Sequence, residues 1–167
     1  MTDDDTAMLI RELSEKVVRL EDRQEIIDLM TSYGPAIDSG DAEAVAHVWT
    51  EDGVYDVDTG VLRGRNQIQE MVRGQRHQGY VQGGCAHVLE PGSVVIDGNT
   101  AVATCKSMLI VSSGDDSGFT VLRATANRWE LVRTSGRWKC RRRMGRVLDG
   151  RAGARDLLAQ GIRDARE

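Results

Sequence analysis

Between residues 85 and 147 the apolar side chains recur at every second position, in four long runs, and that period commits this half of the chain to a sheet. The runs cover residues 85–96, 101–112, 119–133 and 138–147. Asp97-Gly98-Asn99, Ser113-Gly114-Asp115 and Thr134-Ser135-Gly136 separate them, and each has the composition of a hairpin turn. Four strands joined by tight turns form an antiparallel meander. Gly92, Gly118 and Gly145 interrupt the runs where bending or bulging costs least. The expected sheet is therefore strongly curved.

The first half follows a helical period. Leu9, Leu13, Val17 and Leu20, then Ile26, Ile27 and Met30, recur every three or four positions, which predicts a helix over 6–33. It should end near Gly34-Pro35, because proline disfavours helix in the residue before it. Residues 6–24 read as an extension whose apolar stripe docks on the domain or on a partner subunit. A second, short helix over 42–49 should turn Val45, Val48 and Trp49 inward. Residues 54–57 alternate as a strand, and Thr59-Gly60 turns it toward Val61-Leu62. Asn66 caps a third helix, 67–73. Residues 79–84 read as a glycine-rich stretch, and the tail, about 150–167, as a terminal helix or frayed end. Helices followed by a meander mean α+β. The expectation is a single domain over 1–167: a cone-shaped α+β barrel, with three N-terminal helices and a curved antiparallel sheet enclosing an apolar pocket.

Composition removes several functions. Of 167 residues, 40% are hydrophobic and 29% charged, a globular balance. A net charge of −4 opposes a general attraction to nucleic acid or anionic membrane. No apolar run has the roughly 20 residues that span a bilayer, and the acidic start has the wrong sign for a secretory leader. Three cysteines without a Cys-x-x-Cys indicate neither a zinc site nor a disulfide framework. A cytoplasmic protein with reduced thiols is expected. The basic run from Trp138 is no nucleic-acid surface. In a strand Lys139, Arg141 and Arg143 face one way and Trp138, Cys140, Arg142 and Met144 the other, so the charges are split and read as solvated or interface groups. Arg146, near the strand's end, is placed to reach the pocket mouth.

Few residues can carry chemistry. His87 opens the first long run, on one face with Cys85 and Leu89. A strand histidine serves either the core or a site. Asp38, in Ala-Ile-Asp-Ser-Gly-Asp, is a turn or capping residue unless a partner faces it. Tyr33, about one and a half turns earlier, suits a core in which its hydroxyl finds a partner. His47, on the second helix, and His77, in a polar loop, have no carboxylate at metal-ligand spacing, so no metal site is expected.

Together, Tyr33-x4-Asp38, the phrase running from Ser39 to Asp56, the His87 strand and the closing Gly136-Arg-Trp-Lys resemble the SnoaL-like family of the nuclear transport factor 2-like superfamily, over about residues 18–149. The resemblance implies an Asp–His dyad at Asp38 and His87, working without metal or organic cofactor. Tyr33 then matches a pocket tyrosine, and Arg146 a pocket arginine when a one-residue gap is allowed. A second tyrosine falls at Val57, with Tyr55 on the same face to replace it. On this reading His87 is the general base and Asp38 fixes its ring. Tyr33, with Tyr55 in reserve, donates to a developing oxygen, and Arg146 holds an acidic or carbonyl group. Ile37, Trp49, Val57, Leu89 and Met108 wall a pocket for an apolar, polycyclic or steroid-like molecule. The implied reaction is dehydration, or else double-bond isomerisation. The superfamily also includes binding and assembly modules, which Val57 in place of tyrosine favours. It includes epoxide hydrolases with an Asp-Arg-Asp arrangement too, which His87 disfavours. A homodimer or homotrimer is expected, since helices on one face of a sheet leave the other to be covered.

Overall fold

A computed structural model describes residues 2–90, 92–114 and 117–165. Asp115, part of one predicted turn, and the last two residues of the tail lie outside them.

Helix α1 (Asp3–Asp38) starts at a capping box. The Thr2 hydroxyl accepts from the Asp5 amide, and the Asp5 carboxylate accepts from the Thr2 amide. Three aspartates in the first turn complement the helix dipole. The helix does not end at Gly34-Pro35. It runs through Pro35 for another turn and stops where Gly40 adopts a positive φ of 70°. Proline inside a helix costs about 3 kcal/mol. Ile26, Met30, Tyr33 and Ile37, a continuous buried stripe at helical spacing, offset that cost. The extra turn carries Asp38 to the end of the helix, one turn beyond Gly34 and on the same side.

That side faces a strand. A Cβ on Gly34 would fall inside van der Waals contact of the His87 carbonyl oxygen, so only glycine lets the helix lie this close. Gly34→Ala is expected to destabilise the protein by about 1–3 kcal/mol, because the clash is with backbone. The gain in helix propensity, about 1 kcal/mol, is the smaller effect. Urea unfolding checks this; an alanine variant as stable as the parent would contradict it.

The chain continues through α2 (Ala42–His47), β1 (Trp49–Val57), β2 (Gly60–Arg63), α3 (Arg65–Arg73) and α4 (Gln75–Gly83). Four helices, not three, therefore precede the long strands. Helix α4 occupies the stretch whose two glycines suggest a loop, and it carries His77. Trp49 opens β1 and does not close α2. The remaining elements are β3 (Cys85–Leu89), β4 (Ser93–Asp97), β5 (Thr100–Ser112), β6 (Phe119–Thr134), β7 (Arg137–Val147) and α5 (Ala152–Asp164). The run 85–96 is thus two short strands, both paired to β5.

The sheet order is β2-β1-β7-β6-β5-β3, with β4 also on β5. It is curved and open, and it is not wholly antiparallel, because β1 pairs parallel to β7. Two bulges matter below. Between β6 and β7, Glu130 pairs with Arg142 and Leu131 with Cys140, so Arg141 is an extra residue. Between β5 and β6, Leu122 is extra in the same way. Helix α5 lies on β5 and β6, where Gly161 meets Thr104 and Arg128 pairs with Asp164. Within the described residues the tail is therefore a helix, Ala152–Asp164. Trp49, Trp129, Trp138 and Tyr33 dominate the core between the sheet and α1–α3. Among the described residues no helix is long and apolar enough to cross a membrane.

Candidate active site

Helix α1 and strand β3 meet at Asp38 and His87. One carboxylate oxygen of Asp38 accepts from the His87 backbone N–H at 2.7 Å; the other lies 2.6 Å from His87 Nδ1. A carboxylate offers no proton, so Nδ1 carries the hydrogen and Nε2 holds the free lone pair. Nε2 has no partner among the described residues, and His87 lines a cavity. Both side chains are about one-fifth exposed, 19% and 20%. Burial pushes the His87 pKa below its usual 6.5; the hydrogen bond and charge of Asp38 oppose that, while His77 and Arg143 add to it. The imidazole is neutral at pH 7.

Cys85 joins the pair, its thiol donating to Asp38 at 3.4 Å. Burial first, and the Asp38 hydrogen bond second, push the thiol up to about 11, so it stays protonated. Donor atoms of Asp38, Cys85 and His87 lie within 4.8 Å of one another, a spacing that suits a divalent ion. No sequence spacing indicates this set. It exists because α1 brings Asp38 to a strand 47 residues away.

The cavity has two adjoining chambers, and His87, Tyr55, Val57 and Arg123 line both. The helix-side chamber, about 230 Å³, is closed by Ile37, Met71, His77 and Tyr80. The sheet-side chamber, about 50 Å³, reaches Ser107, Asn127 and Arg143. His77 is not in a polar loop. It is buried on α4, its Nε2 donating to the Ile37 carbonyl at 2.8 Å, and its ring lies 6.0 Å from that of His87.

The buried arginine that borders the cavity is Arg143; Arg146 lines neither chamber. Alternation counted from Trp138 puts Arg143 with the solvated charges, but the Arg141 bulge reverses the phase. Arg143 then turns inward with Gly145, while Arg142 and Arg146 turn outward to share the Asp56 carboxylate. Arg143 is 5% exposed. Its Nε and Nη2 donate to Asn127 Oδ1, and its guanidinium lies 4.4 Å from the Trp129 ring centre, 4.7 Å from Tyr33 and 5.3 Å from Tyr55. Burying a cation without a carboxylate is expensive; three aromatic faces and an amide oxygen offset part of the cost. Nη1 has no partner among the described residues.

Other predicted residues fall elsewhere. Tyr33 is 1% exposed and lines neither chamber; its ring packs edge-on against Trp49 and Trp129 behind Arg143. Burial drives its pKa well above the ordinary tyrosine value, and its ring lies against the Arg143 guanidinium. Trp49 backs Tyr55 and Trp129 from the core, and Leu89 packs beside Gly34 under α1. Met108 borders the sheet-side chamber but is 41% exposed. Tyr55 and Val57 line both chambers.

Comparison with known proteins agrees with this architecture. The SnoaL-like domain model matches residues 18–144. An NTF2-like protein with a cystatin-like fold from Novosphingobium aromaticivorans is 43% identical, with 87% of this chain and 94% of that one covered and a TM-score of 0.83. A Mycobacterium tuberculosis protein of unknown function is 20% identical (92% of each chain, TM-score 0.68). An NTF2-like superfamily protein from Salmonella enterica is 17% identical (81% and 97%, TM-score 0.67). These last two are likenesses of fold. No curated protein matches the chain.

Proposed function

The chain belongs to the SnoaL-like family of the nuclear transport factor 2-like superfamily, and from that premise we propose that its cavity is the site of a cofactor-independent lyase or isomerase. The observation that carries this reading is the 2.6 Å contact between Asp38 and His87 Nδ1, which leaves Nε2 as a base in the cavity. His87 Nε2 takes a proton from a carbon next to a carbonyl group, or conjugated with one. The C–H electron pair moves toward the carbonyl, whose oxygen becomes an enolate. The Tyr55 hydroxyl and the Arg143 guanidinium, which borders the sheet-side chamber, are the groups placed to receive that charge. Asp38 stabilises the imidazolium. In a dehydration the electron pair returns to form a carbon–carbon double bond, and the β-hydroxyl leaves as water with a proton from Tyr55 or the imidazolium. In an isomerisation the imidazolium returns its proton to a different carbon. The apolar walls suit an apolar, polycyclic substrate. Acid–base catalysis contributes about 10²–10⁴-fold, and orientation and oxyanion stabilisation supply the remainder.

The test is turnover in deuterated water, with hydroxy-ketones and steroid-like enones as substrates. Deuterium uptake or water loss is expected, constant near neutral pH and falling as the pH drops through a pKa below 6.5. Binding without exchange would favour a non-catalytic module. A rate that does not fall as the pH is lowered would remove His87 from the base role.

Assembly is part of the proposal. Along α1, Ile10, Leu13, Val17 and Leu20 are 50–65% exposed at alternating spacings of three and four. β-branched residues at one seam position and leucine at the other favour two parallel strands, in which Lys16 meets the partner's Glu21. A homodimer is therefore the preferred state, with a homotrimer the alternative. Sedimentation of the full chain should show a dimer, and L13E/L20E a monomer. A parent chain that sediments as a monomer would exclude this seam.

A further inference from the structure

Ion-paired and unpaired arginines both occur across this protein, Arg65 and Arg155 among the unpaired ones outside the cavity. Arg73, Arg128, Arg133, Arg141, Arg142 and Arg146 each form an ion pair with a carboxylate. Arg76, Arg123 and Arg143 have no carboxylate partner among the described residues, and all three line the cavity. Arg76, on α4, is exposed and Arg123, on β6, is half-buried; both border the helix-side chamber, which no carboxylate lines. Asp58, the acid of the sheet-side chamber, is held by the Val147 amide at 2.7 Å. The whole chain carries −4, so a cationic cavity is not a by-product of net charge. Cationic side chains facing a low-dielectric cleft, unneutralised by the protein, attract a charge of opposite sign.

We propose that the natural ligand is an apolar organic acid, whose carboxylate lies at Arg76 and Arg123 and whose ring system fills the helix-side chamber. Ile37, Val57, Leu62, Met71 and Tyr80 supply the apolar walls for those rings. Arg143, at the sheet-side chamber, is left for the second oxygen of the same molecule. This rests on the cavity being the substrate site, and it fixes which end of the substrate enters first. The carboxylate end stays near α4.

The probes are 2-naphthoate and its neutral near-isostere 2-naphthamide, titrated calorimetrically against the full chain and against R76Q/R123Q at low salt. The acid should bind the parent about tenfold more tightly than the amide. That preference should shrink as salt is raised and fall to about one in R76Q/R123Q, whose affinity for the amide is unchanged. R76K/R123K, which keeps the charge, should retain most of it. Equal binding of acid and amide to the parent, a preference that survives in R76Q/R123Q, or no binding of either probe at millimolar concentration overturns the proposal. The catalytic reading is scored separately by deuterium exchange. An acid preference without exchange keeps the ligand class and removes the catalysis. Exchange without an acid preference does the reverse.

Discussion

His87→Gln is expected to lower proton abstraction by about 10²–10⁴-fold while ligand affinity changes little. Glutamine fills much of the imidazole's volume and can still donate to Asp38, which 2.6 Å away holds the native ring. It has no titratable nitrogen to present to the cavity. His87 is half-buried at the start of β3 and lines both chambers, so a same-shape replacement keeps the walls and isolates the chemistry. The measurement is kcat/KM alongside the dissociation constant for one compound. An exchange rate within a few-fold of the parent would show that another group is the base.

Asp38→Asn should cost a comparable amount by a different route. The carboxylate accepts three hydrogen bonds, from the His87 backbone N–H, from Nδ1–H and from the Cys85 thiol. Asparagine offers one acceptor oxygen. If that oxygen keeps the backbone N–H, its NH₂ faces Nδ1 and forces the hydrogen onto Nε2, which disarms the base. If it keeps Nδ1–H, the backbone amide meets another donor. A rate loss of about 10²–10⁴-fold is expected, with a stability loss of about 1–3 kcal/mol for the buried group left unpaired. The pH dependence carries a sign. Asp38 raises the His87 pKa against the effect of burial, so the variant's imidazole should titrate lower than the parent's. The base is then already unprotonated, and raising the pH does not restore the rate. A variant whose activity recovers at high pH would contradict the account.

The meander was legible because alternation and turn composition are local signals: β5, β6 and β7 lie within a residue or so of the runs that predict them. The Asp38–His87 contact was legible only through family resemblance. Its physical cause is Gly34 and Asp38 one turn apart on a helix that passes through a proline, and the usual stop signal hides it. Arg143 was missed for a similar reason. One extra residue at Arg141 exchanges the faces of the strand, and nothing in Lys139-Cys-Arg-Arg-Arg-Met marks where the bulge falls. Helix α4 was missed because Gly79 and Gly83 outweigh the rest of its sequence as breakers. Yet it supplies Arg76, His77 and Tyr80 to the cavity. The parallel pairing of β1 with β7 joins segments more than eighty residues apart in the numbering, Trp49 to Cys140 among them, and has no local signature.

The most direct test of the central claim needs no substrate. Nitrogen-15 NMR of the His87 ring, followed from about pH 4 to 8, reports which nitrogen carries the proton and where the ring titrates. The account predicts the Nδ1–H tautomer at neutral pH, a pKa below 6.5, and a lower one still in Asp38→Asn. A ring protonated on Nε2 at neutral pH, or a pKa that does not fall in Asp38→Asn, would mean that Asp38 does not hold His87 as a base facing the cavity.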